Sequence, residues 1–139
     1  MIQVKFPLNF KDLKDFKKLI NSLKANDVYI NQFLIERENQ SDKPLGRHIL
    51  ANVQDRLNEK TIPGLNVLYK LCEEKNKDAK NFSIPFFLSF KTPAEAHSLA
   101  VGFEHNAKFI QDLLKARGIK DHPLKKVMEF LDAVAKNIR

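Results

Sequence analysis

Apolar residues recur at spacings of three and four along most of this chain, and the runs are punctuated by residues that start and stop helices. Leu13, Phe16, Ile20 and Leu23 form one such stripe. Leu45, Ile49, Leu50, Val53 and Leu57 form another. Leu124, Val127, Met128, Leu131, Val134, Ala135 and Ile138 form the most regular. A stripe of this kind is one apolar face turned away from water, so each predicts an amphipathic helix packed on its neighbours.

The punctuation sets the expected boundaries. Asn9 is a candidate N-cap, and Lys11, Lys14 and Lys18 lie opposite the stripe of the helix it would start. Asn26 or Asp27 can cap a second helix to about Glu38, whose wide apolar arc from Val28 to Ile35 places it deep in a bundle. Asp42 and Pro44 read as the start of a third, to about Lys60. Thr61 and Pro63 open a fourth, carrying Leu65, Leu68, Leu71 and Cys72. Thr92-Pro93-Ala94-Glu95 is the clearest boundary: an N-cap, proline at the first helical position and glutamate at the third. That fifth helix runs to about Ala116, with Gly118 as a left-handed terminator. Asp121 and Pro123 start the sixth.

Two segments alternate instead. Ile2, Val4, Phe6 and Leu8 suit a short extended piece, which Pro7 confines to an edge. Phe82, Ile84, Phe86, Leu88 and Phe90 also alternate, yet Ser83 and Pro85 could open a helical turn, so 82–90 reads as a buried connector, short helix or strand. The expected fold is all-α: a compact six-helix bundle, seven-helix if the connector is helical, with at most a minor strand pair near 2–8 and 82–90. Residues 1–139 are expected to form a single helical domain, since a domain typically spans about 100–200 residues.

Thr92-Pro93 followed by Leu113-Leu114-Lys115-Ala116-Arg117-Gly118 resembles the ankyrin pattern of Thr-Pro, paired leucines and a closing glycine. The interval between the two parts is several residues too long, and no second copy exists. A lone repeat cannot bury its own faces, so no repeat architecture is assigned.

Composition excludes several classes. One cysteine rules out an internal disulfide and a cysteine-cluster zinc site. No apolar run approaches the length of a membrane span, and the start lacks the pattern of a signal peptide. Cytoplasmic residence is the expectation, which leaves a non-classical secretion route open. The net charge of +7 is uneven. Residues 1–24 hold six lysines against two aspartates, and residues 115–139 hold seven basic residues against three acids. The ninety residues between are close to neutral, so the basic character belongs to the two ends.

Catalytic chemistry leaves no signature. Cys72 lies on an apolar stripe followed by Glu73 and Glu74, where burial and negative neighbours oppose a reactive thiolate. His48, His97, His105 and His122 show no i, i+4 pairing, so no metal site is expected. Four scattered glycines form no phosphate loop, and no serine sits in a nucleophile elbow, so no cofactor is expected either.

The basic residues remain. Lys11, Lys14 and Lys18 line one helix face, while Lys115, Arg117, Lys120, Lys125 and Lys126 cluster around the turn between the last two helices. Lys125 and Lys126 stand in a helix's first turn, where cations oppose the dipole unless an anion offsets them. The sequence therefore points to a non-enzymatic helical protein-interaction module meeting an acidic protein surface. A bacterial or phage accessory protein, or part of a secreted effector, is the setting that fits. Binding of nucleic acid or another polyanion through the basic termini is the alternative, and an enzyme with a dispersed site the weaker one.

Overall fold

The computed structural model describes residues 2–39 and 47–138. It corrects the all-α expectation. Two strands of eleven residues each, β1 (Ile2–Asp12) and β2 (Lys80–Phe90), pair as an antiparallel ribbon. Helix α1 (Leu13–Asn39) follows β1, and α4 (Pro93–Ala116) and α5 (Pro123–Ile138) follow β2. Between them, α2 (Arg47–Arg56), a π-helical segment (Leu57–Thr61) and α3 (Ile62–Lys75) run on as one continuous helix. The described residues thus form four helical rods and a two-stranded sheet, not a bundle of six or seven helices.

The ribbon forms because two alternating segments bury the same side. Phe6, Leu8 and Phe10 from β1 and Ile84, Phe86, Leu88 and Phe90 from β2 turn inward, while the residues between them face solvent. The register sets Phe6 opposite Phe86 and Pro7 opposite Pro85. Proline has no N–H to give to a ladder, so the paired prolines can stand only at a non-hydrogen-bonded position. Phe86 meets Phe6 edge-on at 5.5 Å and Phe130 of α5 at 6.1 Å, which ties the sheet to the helices. β1 packs on α1 and α5, and β2 touches α4.

The first helix starts later than Asn9 because the strand continues. Phe10 is still on the buried face, stacked on Phe16 at 4.3 Å. Asp12 is the cap, its carboxylate accepting from the Asp15 N–H at 2.8 Å. Lys11 therefore lies on β1 and not on a helix. Asp15 in turn accepts from the Lys11 N–H at 3.1 Å. The same reciprocal device opens α4, where the Glu95 N–H donates to Thr92 Oγ1 at 3.1 Å and Glu95 accepts from the Lys91 N–H at 2.9 Å. Each strand thus hands over to its helix through a capping pair.

No break occurs at Asn26 or Asp27, and α1 runs through both. Asn26 is fully buried and its side chain is used laterally. Its Nδ2 donates to Gln54 Oε1 at 2.8 Å and Asn106 Oδ1 at 3.3 Å, linking α1 to α2 and α4. The segment beyond it is not uniformly deep: Ile30 is buried, but Val28 is 63% exposed. No new helix begins at Thr61 and Pro63 either. Proline inside a helix clashes with the carbonyl four residues back and offers it no hydrogen bond. The wider π turn just before Pro63 accommodates this, with the Ile62 N–H reaching Leu57 O. Asp42, Pro44 and Leu45 lie outside the described residues.

The second half follows its sequence signals closely. Thr92 caps α4, Gly118 takes a φ of 64°, and α5 buries Leu124, Val127, Leu131, Val134 and Ala135. Because α4 is a single helix from Pro93 to Ala116, the ankyrin-like residues do not form a helix–turn–helix repeat. Cys72 is half-buried against the core rather than enclosed by it, and Leu71 beside it is 50% exposed. Burial pushes the Cys72 thiol pKa up, which favours the inert thiol.

Candidate functional site

The two basic clusters of the sequence meet where α1 passes the start of α5. Helix α1 turns Leu13, Phe16, Ile20 and Leu23 into the core, which leaves Lys14, Lys18 and Asn21 exposed on its other side. Lys14, Lys17, Lys18, Tyr29 and Pro123 line a groove of about 500 Å³. A second recess of about 390 Å³ adjoins it, sharing Lys18 and Pro123 and adding His122, Lys125 and Lys126 together with the acids Asp121 and Glu129. The surface is therefore continuous, with lysines supplied by two helices.

The lysines in it differ in kind. Lys126 is half-buried and bound to Asp15 of α1. An acid within the chain thus offsets a cation that the dipole of α5 disfavours. Burial alone would raise the Asp15 pKa. Hydrogen bonds from Lys126 and the Lys11 backbone, with the charges of both lysines, outweigh it and hold the carboxyl below its ordinary 3.8. Asp15 therefore adds stability above that ordinary value, and the contribution is lost as the pH falls through the lower folded one. The Tm difference between parent and Lys126→Met should accordingly be present near neutral pH and close below about pH 4. A difference that is unchanged down to strong acid would mean that the pair contributes nothing.

Lys125 is exposed, and Lys18 and Lys14 are exposed across from it. Lys17 is half-buried, with its ammonium 5.1 Å from the Tyr69 ring. The start of α5 is not an open set of backbone donors. The Leu124 N–H donates to His122 Nδ1 at 3.1 Å and the Lys125 N–H to His122 O at 2.9 Å. His122, not Asp121, thus closes this terminus, and its ring meets Tyr29 edge-on at 4.7 Å. Attraction for an anion here comes from lysine side chains more than from backbone N–H groups.

The other basic residues do not join them. Lys11 projects from β1, and Lys115, Arg117 and Lys120 are exposed near the turn without lining either recess. Lys17, Asn21 and Tyr29 join the groove although no motif marks them, because the packing of α1 on α5 brings their side to Pro123. Among the described residues no three His, Cys, Asp or Glu side chains converge to hold a metal ion. The His48 side chain lies outside those described. No described helix is long and apolar enough to cross a membrane.

Compared with protein-family models, curated proteins and solved structures, the chain matches none of them.

Proposed function

We propose that this chain is a non-enzymatic interaction module of the cytoplasm whose α1–α5 groove receives an acidic protein surface. The observation that carries the reading is the convergence of Lys14, Lys17, Lys18 and Lys125, from two helices, on one continuous groove. Lysines outnumber the acids of the two recesses, Asp121 and Glu129, and an excess of one sign of charge steers a partner of the opposite sign. Lys126 is occupied by Asp15, so the cations left for a partner are those at the rim. Nucleic acid is the second candidate, but single strands are held largely by stacking on aromatic faces. The groove's ring, Tyr29, is packed against His122 instead.

The test is charge reversal away from the buttressing pair. Lys18→Glu with Lys125→Glu should leave the fold intact, because both positions are exposed and glutamate suits the first turn of α5. Affinity for a polyglutamate peptide at low salt should fall by about tenfold or more, since each exposed pair is worth roughly 0.2–1 kcal/mol and reversal replaces attraction with repulsion. The salt dependence should flatten. Unchanged affinity at low and moderate salt would reduce these lysines to solvated side chains. Tighter, strongly salt-dependent binding of short duplex DNA would move the reading to nucleic acid.

A further inference from the structure

Helix α3 turns Leu65 into the core and packs on α1, where Tyr69 meets Phe16 edge-on at 5.4 Å. The opposite side of an amphipathic helix is ordinarily polar. Here it carries Val67, 60% exposed, and Leu71, 50% exposed. Among the described residues the other large apolar side chains in solvent, Val28, Phe87 and Val101, stand singly on three separate elements. Single ones are ordinary on a surface, whereas two at i, i+4 lie side by side and begin a patch.

The line they lie on continues in both directions. Spacings of four and three carry it from Lys60, in the π-helical segment, through Gly64, Val67 and Leu71 to Glu74. That is the spacing of a seam between paired helices. Lys60 and Glu74 are exposed, and among the described residues neither has an ion pair within the chain. A β-carbon at Gly64 would meet nothing within 4 Å, so the surface there is open.

A two-fold axis beside Val67 makes this line complementary to itself. It sets Val67 against Val67 of the second copy, Leu71 against Gly64, and Lys60 against Glu74, the last two contacts each made twice. One operation thus joins the apolar centre, a large side chain with an open position, and a cation with an anion. Residues 59–75 hold three lysines and three glutamates, so two copies meet there on a neutral surface although the whole chain carries +7.

We propose that the outer face of α3 is the contact of a homodimer, in which two copies of this chain pair antiparallel about Val67. The seam from Lys60 to Glu74 is roughly 20 Å long, which places it among the small, weak interfaces that bury less than about 1,200 Å². The dimer therefore forms as concentration rises and dissociates on dilution. It is independent of the basic groove.

Sedimentation equilibrium of the intact chain in about 0.15 M salt, from about 10 µM to 1 mM protein, reads the association. The parent should pass from monomer to dimer across that range. Leu71→Glu should stay monomeric, and it should fold because the position is exposed, which thermal melting checks. Lys60→Glu and Glu74→Lys should each weaken self-association by about tenfold or more, because each creates two like-charge contacts. Mixed in equal amounts, these two variants should pair with each other as the parent pairs with itself, because both contacts between them are of opposite sign. Val67→Cys should form a disulfide-linked dimer on mild oxidation far faster than Val28→Cys, an equally exposed position away from the axis. Lys18→Glu with Lys125→Glu should leave the dimer in place, which separates this surface from the basic groove. A parent that stays monomeric throughout, a dimer that survives Leu71→Glu or is lost with Lys18 and Lys125, or charge variants that associate no better mixed than alone would overturn the proposal.

Discussion

Leu131→Asp is expected to lower the free energy of unfolding by about 4 kcal/mol or more, the range that follows from burying a charge without a partner. Leu131 is fully buried, and so are its neighbours on the same stripe, Leu124, Val127 and Val134. Helix α5 packs on α4, on α1 and on β1. A carboxylate at this position would be enclosed within the apolar core cluster. The transition midpoint in urea reads the effect directly. A polar change one turn away on the outer side, Lys136→Gln, removes only an exposed ion pair with Asp132 and should shift stability by no more than about 0.5 kcal/mol. If Leu131→Asp stays as stable as the parent and loses only self-association, the stripe is a docking surface and not part of the core.

The α5 stripe is legible in the sequence because everything that defines it is local. Apolar spacing, Pro123 at the start and Gly118 before it each act within a turn or two. The same holds at Thr92 and Glu95, where the cap is complete within four residues. Asn26 and Thr61 fail as boundaries for a related reason. A capping residue marks a helix start only if the helix actually breaks there. Tertiary structure gives Asn26 a buried network instead, and a π turn carries the chain past Pro63. Neither outcome can be read from neighbouring residues.

The site divides the same way. The lysines at 14, 18, 125 and 126 are visible as two separate clusters. That they share one groove depends on α1 lying against α5. Asp15 is the counter-ion of Lys126 across a sequence gap that no pattern spans. That contact accounts for one of two adjacent lysines in a first helical turn: Lys126 is balanced inside the chain, and Lys125 stays exposed.

The ribbon is where local signals mislead most, and it supplies the sharpest contrast between adjacent residues. Period two is present in both strands, but Pro7 limits the first to an edge, and Ser83 with Pro85 leaves the second open between a strand and a helical turn. Only the long-range pairing of Ile2–Asp12 with Lys80–Phe90 decides it. In that register Phe86 is on the inner face, 4% exposed between Phe6 and Phe130, and Phe87 is on the outer face, 48% exposed. Phe86→Ala should therefore cost about 3–5 kcal/mol of stability, the usual range for emptying a buried ring site. Phe87→Ala removes an exposed ring and its contact with the Lys5 ammonium, which lies 5.6 Å from the ring centroid, and should cost no more than about 1 kcal/mol. Ser89, also on the outer face, should tolerate substitution by threonine without loss, because a β-branched residue suits an exposed strand position. Comparable losses at Phe86 and Phe87 in urea denaturation would contradict the alternation and put the segment in a helical or irregular connector, with both rings partly enclosed.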